Sequence, residues 1–228
     1  MGIAERKERE KAQKREAIID AAEEIFFAKG YENTTMDEIA EKAEYSKGTI
    51  YLYFKNKEEL YVGISGRSAD IFYDILKEEI DKGKNGREKL DGIKKAYLRV
   101  FLEHPNHMKA ILHASRYPAI ADKMLNDETT KLQIQEKQQK LQGLILSALT
   151  TATEDKSSPE LASLNKEELM MTFLGGGILL EGMYKHMFDI KDYSEKHFNV
   201  TPENMIKAAY SLLKFSVVIG INLKLLIM

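Results

Sequence analysis

Apolar residues in this chain recur at every third and fourth position and in no run at every second, a spacing that excludes the half-buried strand as its building unit. From Ile18 the pattern passes through Ala21, Ala22, Ile25 and Phe26, one face of a helix. The four prolines, at 105, 118, 159 and 202, punctuate such segments. The expected fold class is therefore all-α.

Start and stop signals divide the first part of the chain. Lys29 and Gly30 offer a last-turn cation and a left-handed cap, so the first helix is expected to end near residue 29. Thr35 and Glu38 have the spacing of a capping box, opening a short second helix with Met36, Ile39, Ala40 and Ala43 inward. Ser46 can cap a third helix over Lys47 to Phe54, with Ile50 and Phe54 one turn apart on its inner face. Asn56 followed by Glu59 marks a fourth start, running through Leu60, Ile64, Ile71 and Ile75 to about Lys82, where Gly83 and Gly86 break it. Further helices are expected near 87–103, 106–116, 120–152, 165–189 and 203–226.

Two short helices joined by three or four residues, packed on a longer one, make a helix-turn-helix unit. With Ile50 and Phe54 inward, Gly48, Thr49, Tyr51, Leu52 and Lys55 point away from the core. Gly48 lets the backbone approach closely, Thr49 can bond a base edge, and Leu52 can touch a thymine methyl. Tyr51, Tyr53, Lys55 and Lys57 can donate to phosphates, which fix register without reading sequence, and Ser46 at the start of the helix belongs to the expected DNA-contacting set as well. The alternative from spacing alone is an ordinary helical hairpin with a solvated Tyr and Lys face.

Charge bears on the choice. Residues 1–60 carry eleven Lys and Arg against fourteen Asp and Glu, so any phosphate contact must be focused on small patches. Two qualify. Glu5 to Arg15 holds six cations against three acids, and Tyr45 to Lys57 holds three lysines and no acid.

The stretch Lys29-Gly30-Tyr31, then Thr34 to Ala40, then Ser46 to Glu58, closely resembles the TetR family signature, a match covering roughly residues 12–62. The resemblance implies phosphate contacts from Thr35, Tyr51, Tyr53 and Lys57 and base contacts from Lys47, Gly48 and Thr49. It also implies a helix-turn-helix domain over 1–55 with a basic N-terminal arm, a helical effector-binding and dimerisation domain over 56–228, and a repressor released from double-stranded operator DNA by a small hydrophobic effector. An activator, or a regulator that answers to a protein partner without a small-molecule pocket, is the alternative of the same class. One departure is plain: the turn between the two short helices usually carries Gly and an aliphatic residue, and here reads Glu44-Tyr45. A left-handed Glu44 costs about 1 kcal/mol.

Dimerisation is expected on geometric grounds, because two recognition helices must reach major grooves about 34–36 Å apart on a pseudo-palindrome. A stripe of Ile206, Tyr210, Leu213, Val217, Ile221 and Leu225, facing Phe173, Leu180 and Met183 or Tyr184, suits such an interface or an intramolecular core. Effector-pocket candidates are Phe101, Met108, Leu112, His113, Tyr117, Met124, Phe173 and Tyr184, with plain core as the competing role.

Other chemistries find little purchase. Without Cys there is no disulfide, thiolate metal site or cysteine nucleophile. His104, His107 and His113 fit no common zinc spacing, Gly175-Gly176-Gly177 lacks the strand and Lys of a phosphate loop, and no nucleophile elbow occurs. Neither a cofactor, a metal nor an enzymatic activity is expected. The charged start, Met1 to Arg15, is no signal peptide, and the most apolar segment, Phe215 to Met228, is interrupted by Lys224, so a cytoplasmic protein without a membrane span is expected.

Overall fold

The computed structural model describes residues 2–113 and 127–161, with positions 120, 164, 165, 167–169, 171, 182 and 204. Among the described residues there is no strand, and no helix is long and apolar enough to cross a membrane. Seven α-helices are described: α1 Ile3–Lys29, α2 Met36–Lys42, α3 Lys47–Tyr53, α4 Lys57–Asp81, α5 Gly86–Glu103, α6 Pro105–His113 and α7 Glu128–Glu154, followed by a 3-10 turn Pro159–Leu161. The chain divides into two compact units, Met1–Ile71 with Asn106–Lys137 and Phe72–Pro105 with Gln138–Met228.

In the first unit α1 buries Ile18, Ile19, Ala21, Ala22 and Phe26. It stops at Gly30, whose N–H bonds the Phe26 carbonyl at 2.9 Å. The positive φ expected of this residue is present, at 83°, but a ψ of 162° extends the chain instead of closing a left-handed turn. Side chains then satisfy the last carbonyls: Asn33 Nδ2 donates to Lys29 O at 3.0 Å and Thr34 Oγ1 to Gly30 O at 2.8 Å. The core of this unit gathers Ile18, Ile19, Ala22 and Phe26 of α1, Ile39 and Ala40 of α2, Ile50 of α3, Phe54, and Leu60, Tyr61 and Ile64 of α4.

In the second unit two glycines set the packing distance. A Cβ at Gly92 of α5 would stand 2.4 Å from the Glu79 carbonyl oxygen of α4, and one at Gly86 would stand 2.0 Å from the Ala152 Cα of α7. Helix axes this close exclude any larger residue. Arg99 on α5 adds ion pairs to Glu78 at 2.7 Å and Glu79 at 3.0 Å of α4, and Asp155 accepts from the Gly86 N–H at 2.6 Å. Phe72 and Tyr97 meet edge-on with ring centres 4.8 Å apart.

One segment expected as a single helix, 120–152, is divided at Asp127, with Ile120 helical before it. The helix after the division has its capped start at Asp127, whose carboxylate accepts from the Thr130 N–H at 2.9 Å, and α7 runs from Glu128 to Glu154. An aspartate three residues before a threonine is a start signal as good as periodicity, and here it wins. The expected helices 165–189 and 203–226, the Gly175-Gly176-Gly177 run and the segment Phe215–Met228 fall almost wholly outside the described residues.

Candidate nucleic-acid interface

Helix α2 begins at the box that Thr35 and Glu38 were expected to form. The Thr35 hydroxyl accepts from the Glu38 N–H at 3.3 Å, and the Glu38 carboxylate accepts from the Thr35 N–H at 2.9 Å and from its hydroxyl at 2.8 Å. Lys29 ion-pairs with the same carboxylate, so α2 is fastened to the end of α1. These contacts, the Lys29 hydrogen bond foremost and Thr35 next, hold the Glu38 carboxyl down to about 2.

The turn after α2 closes in a Schellman motif. Tyr45 N–H bonds Ala40 O at 3.1 Å and Glu44 N–H bonds Glu41 O at 3.1 Å, with Glu44 at φ 57°. The carboxylate-bearing residue therefore occupies the left-handed position that glycine usually fills. Tyr45 packs half-buried against the core, which fixes where the next helix starts.

That helix, α3, is seven residues long and is capped as expected: Ser46 Oγ accepts from the Thr49 N–H at 3.1 Å. Its anchor is Ile50, fully buried, with Phe54 at 2% exposure closing the C-terminal end. Opposite these anchors Lys47, Gly48, Tyr51, Leu52 and Lys55 are exposed, Leu52 to 84% and Tyr51 to 50%. Thr49 and Tyr53 flank this surface half-buried. No acid lies in the first turn of α3, whereas α2 opens with Asp37 and Glu38 and α4 with Glu58 and Glu59.

Several of the expected contact residues already have partners within the chain. Lys47 Nζ pairs with Asp37 at 2.6 Å, and Ser46 and Thr49 share a hydroxyl bond of 2.9 Å. Lys57 donates to the Tyr31 carbonyl at 2.8 Å and lies 4.2 Å from the centre of the Tyr31 ring. One of its three N–H groups is thus committed to joining the end of α1 to the start of α4. Lys55 is held by its backbone, whose N–H bonds Glu59 at 2.8 Å, while the Glu59 N–H bonds the expected cap Asn56 at 3.0 Å.

The residues that hold α4 against α1 were not visible in local patterning. Tyr31 donates its hydroxyl to Glu58 at 2.7 Å and stacks edge-on with Tyr61, ring centres 5.3 Å apart, with Phe26 completing the group. Arg67 reaches Glu16 and Asp20 at 2.6 Å each and Glu23 at 3.4 Å. The acids stand at i, i+4 and i+7, one stripe of α1, a spacing that does not by itself name the cation that meets it. Burial pushes the Glu23 carboxyl up, and Arg67 beside it draws it back. His107 of α6 faces Glu23 at 3.6 Å and Ser68 at 3.0 Å. Ser68 donates to Ile64 O at 2.8 Å, so its oxygen accepts from His107 Nδ1.

Of the expected effector contacts, Phe101 is buried in the second unit, while Met108 is buried and Leu112 half-buried in the first. His113 ends α6, and nothing of its side chain is described. Tyr117, Met124, Phe173 and Tyr184 lie outside the described residues, as do the interface candidates Leu180, Met183, Ile206, Tyr210, Leu213, Val217 and Ile221. A shallow depression of about 320 Å³ between α1 and α2 is lined by Glu24, Ile25, Ala28, Lys29, Glu38 and Lys42, none of them an expected effector contact.

Comparison with known proteins agrees with this geometry. The family profile for bacterial regulatory proteins of the tetR family matches residues 18–64, the span from the first buried residue of α1 into α4. The fatty acid metabolism regulator protein of Bacillus subtilis is 37% identical over 82 residues, 36% of this chain and 42% of that regulator's length. The HTH-type transcriptional regulator YhgD of the same organism is 33% identical over 144 residues, 62% of this chain and 68% of its own. Among solved structures, the transcriptional regulator FadR from Bacillus subtilis in complex with stearoyl-CoA superposes with a TM-score of 0.63 over 88% of this chain and 96% of that one. At 19% identity that likeness concerns the fold.

Proposed function

This chain belongs to the tetR family of bacterial regulatory proteins, and on that premise we propose that it is a cytoplasmic, homodimeric repressor that leaves its operator when a small hydrophobic effector binds. The observation that carries the reading is α3, pinned by Ile50 and Phe54 while Lys47, Gly48, Tyr51, Leu52 and Lys55 face solvent. A short helix held so by its inner edge fits the major groove. In that seat Lys47, Gly48 and Thr49 read base edges, Leu52 meets a thymine methyl, and Thr35, Tyr51, Tyr53, Lys55 and Lys57 position the backbone.

The dimer follows from the site, since one α3 spans a half-site and the second must come from a partner chain about 34–36 Å along the duplex. Release works by population: an effector that binds a splayed dimer better shifts the pair to a spacing the grooves do not match. The lever is α4, whose first turn carries Lys57 and Glu58 against Tyr31. Acyl-CoA thioesters are the effectors to assay first, because the Bacillus subtilis FadR structure holds stearoyl-CoA.

The test is a duplex selected from a random-sequence pool by the full chain, followed by quantitative gel shift. Tyr51→Ala is expected to weaken binding similarly on all sequences, and Thr49→Val to change base preference. Unchanged binding in both variants overturns the placement of α3. Long-chain acyl-CoA is expected to dissociate the complex, and an unchanged complex at saturating thioester rejects that effector class.

A further inference from the structure

From Tyr45 to Lys57 the chain has three lysines and no acid, yet packing brings a carboxylate to this surface. Asp37, the second residue of α2, reaches Lys47, the first residue of α3, and accepts from its Nζ at 2.6 Å. Of the three lysines Lys47 alone meets a carboxylate among the described residues, since Lys57 turns to the Tyr31 carbonyl and Lys55 forms no ion pair there. Asp37 takes no part in capping α2, which Thr35 and Glu38 do between them. Its side chain is 60% exposed and that of Lys47 64%. An ion pair so open to solvent adds little to stability, so its place beside the recognition helix is the informative part.

The pair carries three donors on the ammonium and only acceptors on the carboxylate, side by side. Phosphate oxygens accept and are negative, so a phosphate that attracts Lys47 repels Asp37 in the same contact. A base-pair edge is different. In the major groove a G·C pair shows guanine N7 and O6 as two adjacent acceptors and then the amino donor of cytosine, whereas an A·T pair sets its donor between two acceptors. Two N–H groups of Lys47 match N7 and O6, and Asp37, kept against the third, faces the cytosine amino group. The start of a recognition helix is also the part that meets base edges.

We propose that Asp37 is a specificity-determining residue, which turns Lys47 from a cation for any phosphate into a reader of one G·C pair in each half-site. The inference rests on the reading that α3 enters the major groove, and it adds a residue of α2 to the set that reads bases. Against unrelated duplex the carboxylate lowers affinity, and against the matching base pair it restores it. Its effect is therefore on the ratio of the two affinities.

The experiment begins with duplexes selected from a random pool by the full chain, in which the base pair whose identity ceases to matter for K47M marks the one that Lys47 reads. Wild type, D37A and E44Q are then measured on the selected duplex, on its three substitutions at that pair and on unrelated duplex, across a salt series. E44Q removes an exposed acid from the neighbouring turn and leaves the Asp37–Lys47 pair in place. Alanine suits an exposed helical position, and urea titration checks that D37A stays folded. Wild type is expected to prefer G·C at the marked pair, and D37A to lose about tenfold of that preference. On unrelated duplex D37A is expected to bind more tightly, with the plot of log K against log salt steeper by about 0.9 per chain as Lys47 goes to a phosphate. E44Q is expected to keep the wild-type preference. Wild-type preference in D37A overturns the proposal, as does an equal change on every duplex, the mark of a structural or diffuse-charge role. A marked pair other than G·C, or an equal loss of preference in E44Q, overturns it too. If K47M alters no base preference although the wild type selects a sequence, the proposal falls while α3 stays in the groove. A wild-type chain that selects no duplex removes the underlying reading, and this one with it.

Discussion

Glu44 is a residue whose replacement by glycine should stabilise the protein. It sits at φ 57° in the Schellman turn between α2 and α3, where a side chain with a Cβ crowds the following carbonyl. That crowding costs about 1–2 kcal/mol. Glycine relieves it, yet gives the unfolded chain more freedom, which takes back about 0.4–1 kcal/mol. The carboxylate is exposed and makes no hydrogen bond or ion pair among the described residues, so nothing else is lost with it. Glu44→Gly is therefore expected to raise the free energy of unfolding by about 0.5–1 kcal/mol. Glu44→Ala, which keeps the Cβ and the strain, is expected to lie within about 0.5 kcal/mol of wild type. Urea titration of the three proteins, compared at constant m-value, reads the difference. A Glu44→Gly protein less stable than wild type, or one no better than Glu44→Ala, refutes the strain account. The substitution also removes a negative charge from the turn that precedes the recognition helix, so tighter operator binding is expected at low salt, fading as salt rises.

The remaining predictions concern packing, acid stability and the α1–α4 tie. Gly92→Ala, which in an open helix gains about 1 kcal/mol, is expected to destabilise by about 1–3 kcal/mol, because its Cβ meets the Glu79 carbonyl at 2.4 Å; a stabilised variant in thermal unfolding contradicts the close approach. Glu38 has its folded pKa depressed to about 2 from a reference of 4.5, so its contribution is whole above pH 4.5 and fades as pH falls toward 2. The stability gap between wild type and Glu38→Gln should accordingly close over that window, and a gap that stays constant from pH 6 to pH 2 argues against the hydrogen-bond assignment. Lys57→Ala is expected to lower stability by about 1 kcal/mol as well as weaken DNA binding, because it abandons the Tyr31 carbonyl and ring; affinity loss at unchanged stability would give Lys57 a purely external role.

What the sequence determined by itself is what a few neighbouring residues decide. The Thr35–Glu38 box, the Ser46 and Asn56 caps and the inward pair Ile50 and Phe54 are each complete within five residues, so their spacing alone placed α2, α3 and the start of α4. Glu44 stood out only against the family pattern, which puts glycine in that turn, and its left-handed backbone became definite in the structure. Contacts between segments far apart in the chain were another matter. That Arg67 answers Glu16, Asp20 and Glu23, that Lys57 turns inward to Tyr31, and that Gly86 and Gly92 are glycine because other helices press against them became definite only once the helices had packed. That Arg15 rests on the Phe54 ring, thirty-nine positions along the chain, is of the same kind. Helical periodicity says which residues share a side, but only tertiary contact says what that side faces.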